Sequence, residues 1–257
     1  MNYFVEGLQG SGKSTLTGKL SEKYPDHKSY HEGDHSPVEL AWCAYVSREK
    51  YEEILCKYSE IRPLIEAESF AEDGQMIICY TQVKTDISGF YQDLEQYEIY
   101  NDRRDPETFR RIILGRYRRW NGDKAIFECS LLQNIVEDMI LFRVASDEKI
   151  MDLYREIRDA LEGKAFHIVY LRTDDIAGNI GVIRKERSDE QGNELWFPMM
   201  LGYFNSSPFA LKHGLSGEDA LLNHLRHRQD LELRICQEIF PDRHTVLRSK
   251  EYTCLCF

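Results

Sequence analysis

Nowhere in its 257 residues does the chain hold anything near the roughly 20 consecutive apolar residues that a helix needs to cross a bilayer, so no membrane span is expected. It also lacks the basic-then-apolar opening of a secretory leader, because Glu6 and the glycines after it interrupt the first apolar stretch within a few residues. Positive charge is not in excess. The 33 Lys and Arg against 44 Asp and Glu leave a formal net charge of -11, which opposes general association with nucleic acid or an anionic membrane, where binding rests on clustered cations. No C-x-x-C pair occurs among Cys43, Cys56, Cys79, Cys129, Cys236, Cys254 and Cys256, and several lie in apolar runs such as Met76-Ile77-Ile78-Cys79. That pattern suits buried free thiols in a reducing compartment better than a disulfide framework. A cytoplasmic protein is expected. Internal repeats, low-complexity segments and a dividing linker are absent as well.

What is present is the composition of a folded globular chain, 42% hydrophobic and 30% charged, long enough for one large domain over 1–257. Short apolar runs alternate with helical spacing. Asn2 to Val5 predicts a strand, followed by a Gly-rich turn and a helix from Ser14 to Lys23; a second strand lies at about Lys28 to His31. From about Val38 to Glu68 the aromatic and aliphatic residues fall largely at intervals of three, four and seven, which predicts helix. Then come a strand over Met76–Tyr80, a helix from Asp105-Pro106 to Trp120 opened by a capping Asp and a first-turn Pro, and a strand over Lys124–Glu128. Helices over about 131–144 and 147–161, a strand over 166–171, a helix over about 174–185, a long helix over 217–240 and a strand near 245–247 complete the chain. Such alternation predicts an α/β fold with a mostly parallel central sheet covered on both faces.

One motif is specific. Gly7-Leu8-Gln9-Gly10-Ser11-Gly12-Lys13-Ser14 matches G-x-x-x-x-G-K-[ST] in full. The glycines let successive backbone N–H groups turn inward around a phosphate, and the following helix adds its positive end. Gln9, Gly10, Ser11, Gly12, Lys13, Ser14 and Thr15 are therefore expected to hold ATP, with Lys13 reaching the β- and γ-phosphates. Ser14 is expected to offer its hydroxyl to Mg²⁺, a hard ion that takes few protein ligands. The fold expected is the three-layer P-loop NTPase fold with helical insertions.

Beside the loop, three segments resemble thymidylate kinases and deoxynucleoside kinases. His31-Glu32-Gly33-Asp34-His35-Ser36-Pro37 is similar to the R-E-P-G-G-T segment, with His31 and Gly33 at its Arg and Pro. Phe127-Glu128-Cys129-Ser130 is similar to the E-R-S or D-R-Y segment, with Cys129 at its Arg. The strand 166–171, Asp174-Asp175 and a helix ending Ile183-Arg184-Lys185-Glu186-Arg187 resemble the strand, helix and Arg-bearing lid of those kinases. The resemblance implies helical acceptor-side insertions at about 38–75 and 101–120 and a lid at about 184–198. The missing Arg at 129 favours an acceptor without a phosphate.

Phosphoryl transfer asks for alignment, neutralised charge and a group that orients the acceptor. Glu32 and Asp34 are candidates to take the acceptor proton, against a reading as exposed turn acids with Asp34 as a local cap. Glu128, at the end of an apolar strand, is a candidate for Mg²⁺ or the acceptor, because a buried carboxylate without a partner is costly. Arg184 and Arg187, three apart, are candidates to hold transition-state charge, against a solvated face. Trp42, Tyr45 and Tyr51 read as core packing at helical spacing, with stacking on an aromatic acceptor as the sharper alternative. The basic stretch Arg103, Arg104, Arg110, Arg111, Arg116, Arg118 and Arg119 carries interleaved acids, as a solvated helix does. His213, His224 and His227 make no metal set. The expectation is a kinase moving the γ-phosphate of ATP, with Mg²⁺, to a small nucleoside, nucleotide or antibiotic, without nucleic acid or membrane partners and with a homodimer left open. Two other classes stand beside it: an ATP-binding regulatory or slow ATPase module acting on a protein partner, and a nucleic-acid end kinase.

Overall fold

The structure, a computed structural model, describes residues 1–189 and 191–251; Cys254 and Cys256 lie outside the described residues. They fall into two compact units, one built from 1–29 together with 121 onward, the other from 30–120. No described helix is long and apolar enough to cross a membrane.

The first unit carries an α/β sheet. Its strands are β1 (Asn2–Gly7), β2 (Lys28–Tyr30, at the junction with the second unit), then β6 (Ala125–Glu128), β7 (Phe166–Arg172) and β8 (His244–Arg248), in the order β2-β6-β1-β7-β8. β1 runs parallel to both β6 and β7, and β7 parallel to β8. Each strand shows alternate residues to opposite faces. Tyr3, Val5, Ile126, Val169 and Leu171 face Leu16 and Leu20 of α1 (Lys13–Lys23). Phe4 points the other way and stacks on Phe127, with ring centroids 4.9 Å apart, and Phe166 meets both Phe4 and Phe240 edge-on. That second face is closed by α11 (Gly217–Ile239), which packs on β7 and on α6 (Gln133–Leu141), α7 (Asp147–Ala160), α8 (Ile176–Glu186) and α9 (Trp196–Asn205). Helix, sheet, helix is the expected three-layer arrangement of the P-loop NTPase fold, with a mostly parallel central sheet. A short α10 (Pro208–His213) follows Ser207, whose hydroxyl accepts from the N–H of Ala210 at 3.2 Å.

The second unit holds a separate three-stranded antiparallel sheet, β3 (Ala44–Ser47), β5 (Gln75–Ile78) and β4 (Ser69–Glu72), in the order β3-β5-β4. Around it lie α2 (Arg48–Lys57), a 3₁₀ turn over Ser59–Ile61, α3 (Arg62–Ala67), α4 (Phe90–Glu95) and α5 (Pro106–Arg119). The continuous helix expected from Val38 to Glu68 is corrected here. Residues 38–43 are not helical, and Ala44 and Val46 are buried while Tyr45 and Ser47 are not, a period of two rather than 3.6. Ser47 then caps α2, accepting from the N–H of Lys50 at 3.2 Å. The helix expected over 105–120 is α5, with Asp105 accepting from Thr108 N at 2.9 Å and Pro106 in its first turn.

Arg116 of this helix is fully buried, paired with Glu72 at 2.5 Å and donating to the carbonyl of Ser36. Arg103 pairs with Glu95 and Glu98, Arg119 with Glu72 and Asp73, and Arg104 donates to the carbonyls of Tyr45 and Tyr97. Much of the basic stretch is thus spent on tying its own unit together.

Asn2 performs the same service in the first unit. Its side-chain NH₂ donates to the Ala165 carbonyl at 2.8 Å and its oxygen accepts from Ala125 N at 2.9 Å, joining the start of β1 to both neighbouring strands. Replacing Asn2 with Ala strands these buried groups, so urea unfolding of Asn2→Ala should show a stability lower by about 1–3 kcal/mol.

Candidate phosphate-binding site

The loop between β1 and α1 is a backbone under tight steric control. Gly7 has φ of 140°, and a Cβ there would lie 2.6 Å from the Leu171 carbonyl oxygen. At Gly10, φ is 71°, and a Cβ would fall 2.1 Å from Cδ1 of Ile183. Gly12 caps α1 in the left-handed region. All three backbone conformations favour glycine, and at Gly7 a side chain would also strike the backbone of β7. Ser14 and Thr15 open α1 at an exposed end, and Lys13 is buried, its Nζ donating to the carbonyls of Gly7 at 2.9 Å and Leu8 at 2.7 Å.

Strand register decides what faces this loop. Val5 pairs with Glu128, and Glu128 shares a face with Ile126, the face covered by α1. Ser14 therefore meets Glu128, donating to its Oε1 at 2.5 Å. A hydroxyl and a carboxylate set side by side at the start of α1 are hard oxygen donors, the chemistry that Mg²⁺ accepts, so the residues present fit that ion. The chain turns away directly after Glu128, with Cys129 at φ 57°, an unusual conformation for a residue with a Cβ.

Glu6 lies on the opposite face and is fully buried. Its two oxygens accept from the N–H groups of Leu131 at 2.7 Å and Gln133 at 3.2 Å, at the start of α6. Burial pushes its pKa up to about 8, and those N–H groups oppose the rise.

Other expected residues are placed as follows. In the second unit, Glu32 is exposed, while Asp34 accepts from His31 N at 2.7 Å and from Gln82 Nε2 at 3.4 Å. Asp34 thus serves its own turn. In the first unit, Arg184 pairs through Nε with Glu194 at 2.9 Å and through Nη1 with Glu218 at 3.0 Å, above the ring of Phe197. Arg187 is exposed, 5.0 Å from the Trp196 ring. Trp42 is neither helical nor core: it is 48% exposed and held at φ 62°. Tyr51 packs into the core of the second unit. His224 and His227 pair with Glu137 and Asp147 respectively.

Two contacts to the loop had no signal in the motif. Asn179 Nδ2 of α8 donates to the Gln9 carbonyl at 2.9 Å, and Arg228 Nη2 of α11 donates to Gln9 Oε1 at 2.7 Å. Both residues lie on helices whose polar positions read as solvent-facing from spacing alone.

No family model matches the chain, and no curated protein matches it. Among solved structures it is similar to that of deoxyadenosine kinase from M. mycoides with bound dATP, at 15% identity over 98% of this chain and 93% of that one, with a TM-score of 0.40. At that level the likeness decides nothing about this chain's chemistry.

The Ser14 and Glu128 contact generates a test. If the loop binds ATP together with Mg²⁺, Ser14→Ala or Glu128→Gln should raise the Mg²⁺ concentration giving half-maximal ATP binding by about tenfold, as for a lost oxygen ligand or its support. Affinity for ATP in EDTA should stay within about twofold. Titration calorimetry with and without Mg²⁺ measures both, and an unchanged Mg²⁺ requirement in both variants would remove these residues from the metal's surroundings.

Proposed function

We propose that the protein is an ATP-dependent phosphotransferase that moves the γ-phosphoryl group to the hydroxyl of a small planar acceptor, of which a nucleoside is the chemical type. The observation that carries this reading is the loop itself: a complete phosphate-cradle sequence, its glycines at the conformations a cradle needs, and Ser14 on Glu128 beside it.

In this reading the loop N–H groups and Lys13 hold the β- and γ-phosphates. Ser14 directly, and Glu128 directly or through water, would hold Mg²⁺, which supplies charge neutralisation on the phosphates when bound. The acceptor oxygen forms a bond to the γ-phosphorus as the bond from that phosphorus to the β–γ bridging oxygen breaks, and ADP leaves with the electron pair. The acceptor's proton passes to a carboxylate. Glu32 and Asp34 are the two candidates; Asp34 is bound into its own turn by His31 N and Gln82, and Glu32 is the one tested first because it is exposed. Arg184 and Arg187 belong to the lid about 184–198 and stabilise negative charge on the moving group.

Trp42 favours a planar acceptor. A half-exposed indole on a backbone conformation that few residues adopt is an expensive arrangement for packing, and such conformations cluster at ligand sites. The acceptor side is assigned to the elements of 38–75 and 101–120. A nucleic-acid end kinase is disfavoured, because Arg103, Arg104, Arg116 and Arg119 are committed to groups of their own unit.

The test is transfer from γ-labelled ATP with Mg²⁺ to a panel of nucleosides, nucleotides and antibiotics, with Lys13→Ala protein as the blank. A labelled nucleoside is the expected product, and release of free phosphate alone, stimulated by a protein, would replace the kinase by an ATPase module. With the labelled acceptor in hand, Glu32→Gln should keep ATP affinity and lower kcat by about 10²–10⁴-fold. Trp42→Ala should raise the acceptor KM by about tenfold, the usual worth of one stacked base, with kcat within about twofold.

A further inference from the structure

Gln9 occupies a place in the loop where the motif tolerates any residue, yet both its backbone and its side chain are gripped. The grip on the side chain is built in tiers. Arg228, fully buried, reaches Gln9 Oε1 with Nη2 at 2.7 Å, Glu137 with Nη1 at 3.0 Å, and Glu232 with Nε at 3.3 Å. Each of those carboxylates is fixed in turn: His224 Nε2 is 2.8 Å from Glu137, and the hydroxyl of Tyr170 donates to Glu232 at 2.6 Å. Burial opposes ionisation of Glu137, but Arg228 and His224 beside it hold its pKa down to about 2. His224, Arg228 and Glu232 are spaced four apart, so one face of α11 presents the whole ladder to the sheet and the loop.

A buried guanidinium with two carboxylates is a weak way to stabilise a fold, since an apolar face of the same volume does as well or better. What it supplies is direction. Guanidinium has only donors, so the amide of Gln9 must turn its oxygen to Arg228, and its NH₂ is the half left to donate. We propose that Arg228 is a positioning residue of the phosphate loop, acting through Gln9 so that the amide NH₂ of Gln9 is held for a phosphoryl oxygen of the bound triphosphate. The proposal rests on the reading of the loop as the triphosphate site.

The experiment is a double-substitution cycle on the full chain, read by calorimetric affinity for Mg-ATP. In Arg228→Lys the charge stays, but a single ammonium cannot hold both carboxylates and the amide at once. Gln9→Ala removes the group held. Each single variant should lose about tenfold in affinity, and the double variant should be no weaker than the weaker single, as for residues acting in series. Additive losses, or an Arg228→Lys protein of wild-type affinity, would overturn the proposal. Hydrogen exchange at the amides of 10–15 without nucleotide gives a second reading, and the only one needed if Arg228→Lys does not fold. Gln9→Ala should speed that exchange by about tenfold, and unchanged protection would overturn the proposal equally. Failure of the loop reading itself looks different: wild-type protein would bind no Mg-ATP, or Lys13→Ala would bind it as well as wild type, while the exchange result still decides whether Arg228 holds the loop through Gln9.

Discussion

The position of β1 between β6 and β7 is the constraint from which the candidate site follows. With Val5 opposite Glu128 and Gly7 opposite Leu171, the strand end is fenced by backbone on both sides. The chain can leave the sheet only through a residue that tolerates φ of 140° and a carbonyl oxygen 2.6 Å from where a Cβ would stand. Gly7 answers that steric demand. Once the turn is made, the period of two puts Glu128 on the α1 face and Glu6 on the α11 face. One strand register thus sorts two buried carboxylates to opposite sides of the same loop.

The sorting has electrostatic consequences. Glu128 stands where it meets a hydroxyl at a helix N-terminus, and hard oxygen donors collect there. Glu6 lies on the dry side, where desolvation outweighs two N–H donors and raises its pKa to about 8. Near neutrality it is held partly protonated, which lowers the negative charge behind the loop. On the same side Arg228 offsets one of its two carboxylates, Glu137 and Glu232, and burial raises the pKa of Glu232, so the negative charge of the buried layer under the loop is reduced.

Much of this was legible from residues alone, and the gaps have physical reasons. The strands of the parallel sheet read clearly because they are buried on both faces and nearly continuous in apolar residues, as Phe166–Leu171 is. Helices with explicit caps, such as α5 behind Asp105-Pro106, read clearly as well. The strand Ala44–Ser47 was hidden because four residues of alternation sit inside a longer run whose aromatics also match intervals of three and four, and short windows cannot separate the two periods. Trp42 falls in the same run, so its spacing favours core packing over stacking on an acceptor. α4, α9 and α10 were missed for a related reason: the hexamers are too short for a period, and α9 is apolar around much of its circumference, which erases the amphipathic signal. Arg228 was illegible in principle, because His, Arg and Glu four apart read as a solvated stripe, and only the fold shows that stripe turned inward.

The arginines of the first unit then divide by how freely they can move. Arg184 sits in partly exposed ion pairs with Glu194 and Glu218, and pairs of that kind contribute little, about 0–1 kcal/mol each. Exchanging those carboxylates for phosphoryl oxygens requires little energy, which suits a residue proposed to act on a transient charge. Arg228 is in the opposite condition: removing it from its carboxylates leaves uncompensated charge in the interior, a loss of several kcal/mol. It cannot follow a ligand and can only hold something still. If the loop binds a triphosphate, the mobile cation belongs to the reacting end of that ligand and the immobile one to the frame that receives it, and the depth at which each arginine is buried is what separates the two tasks.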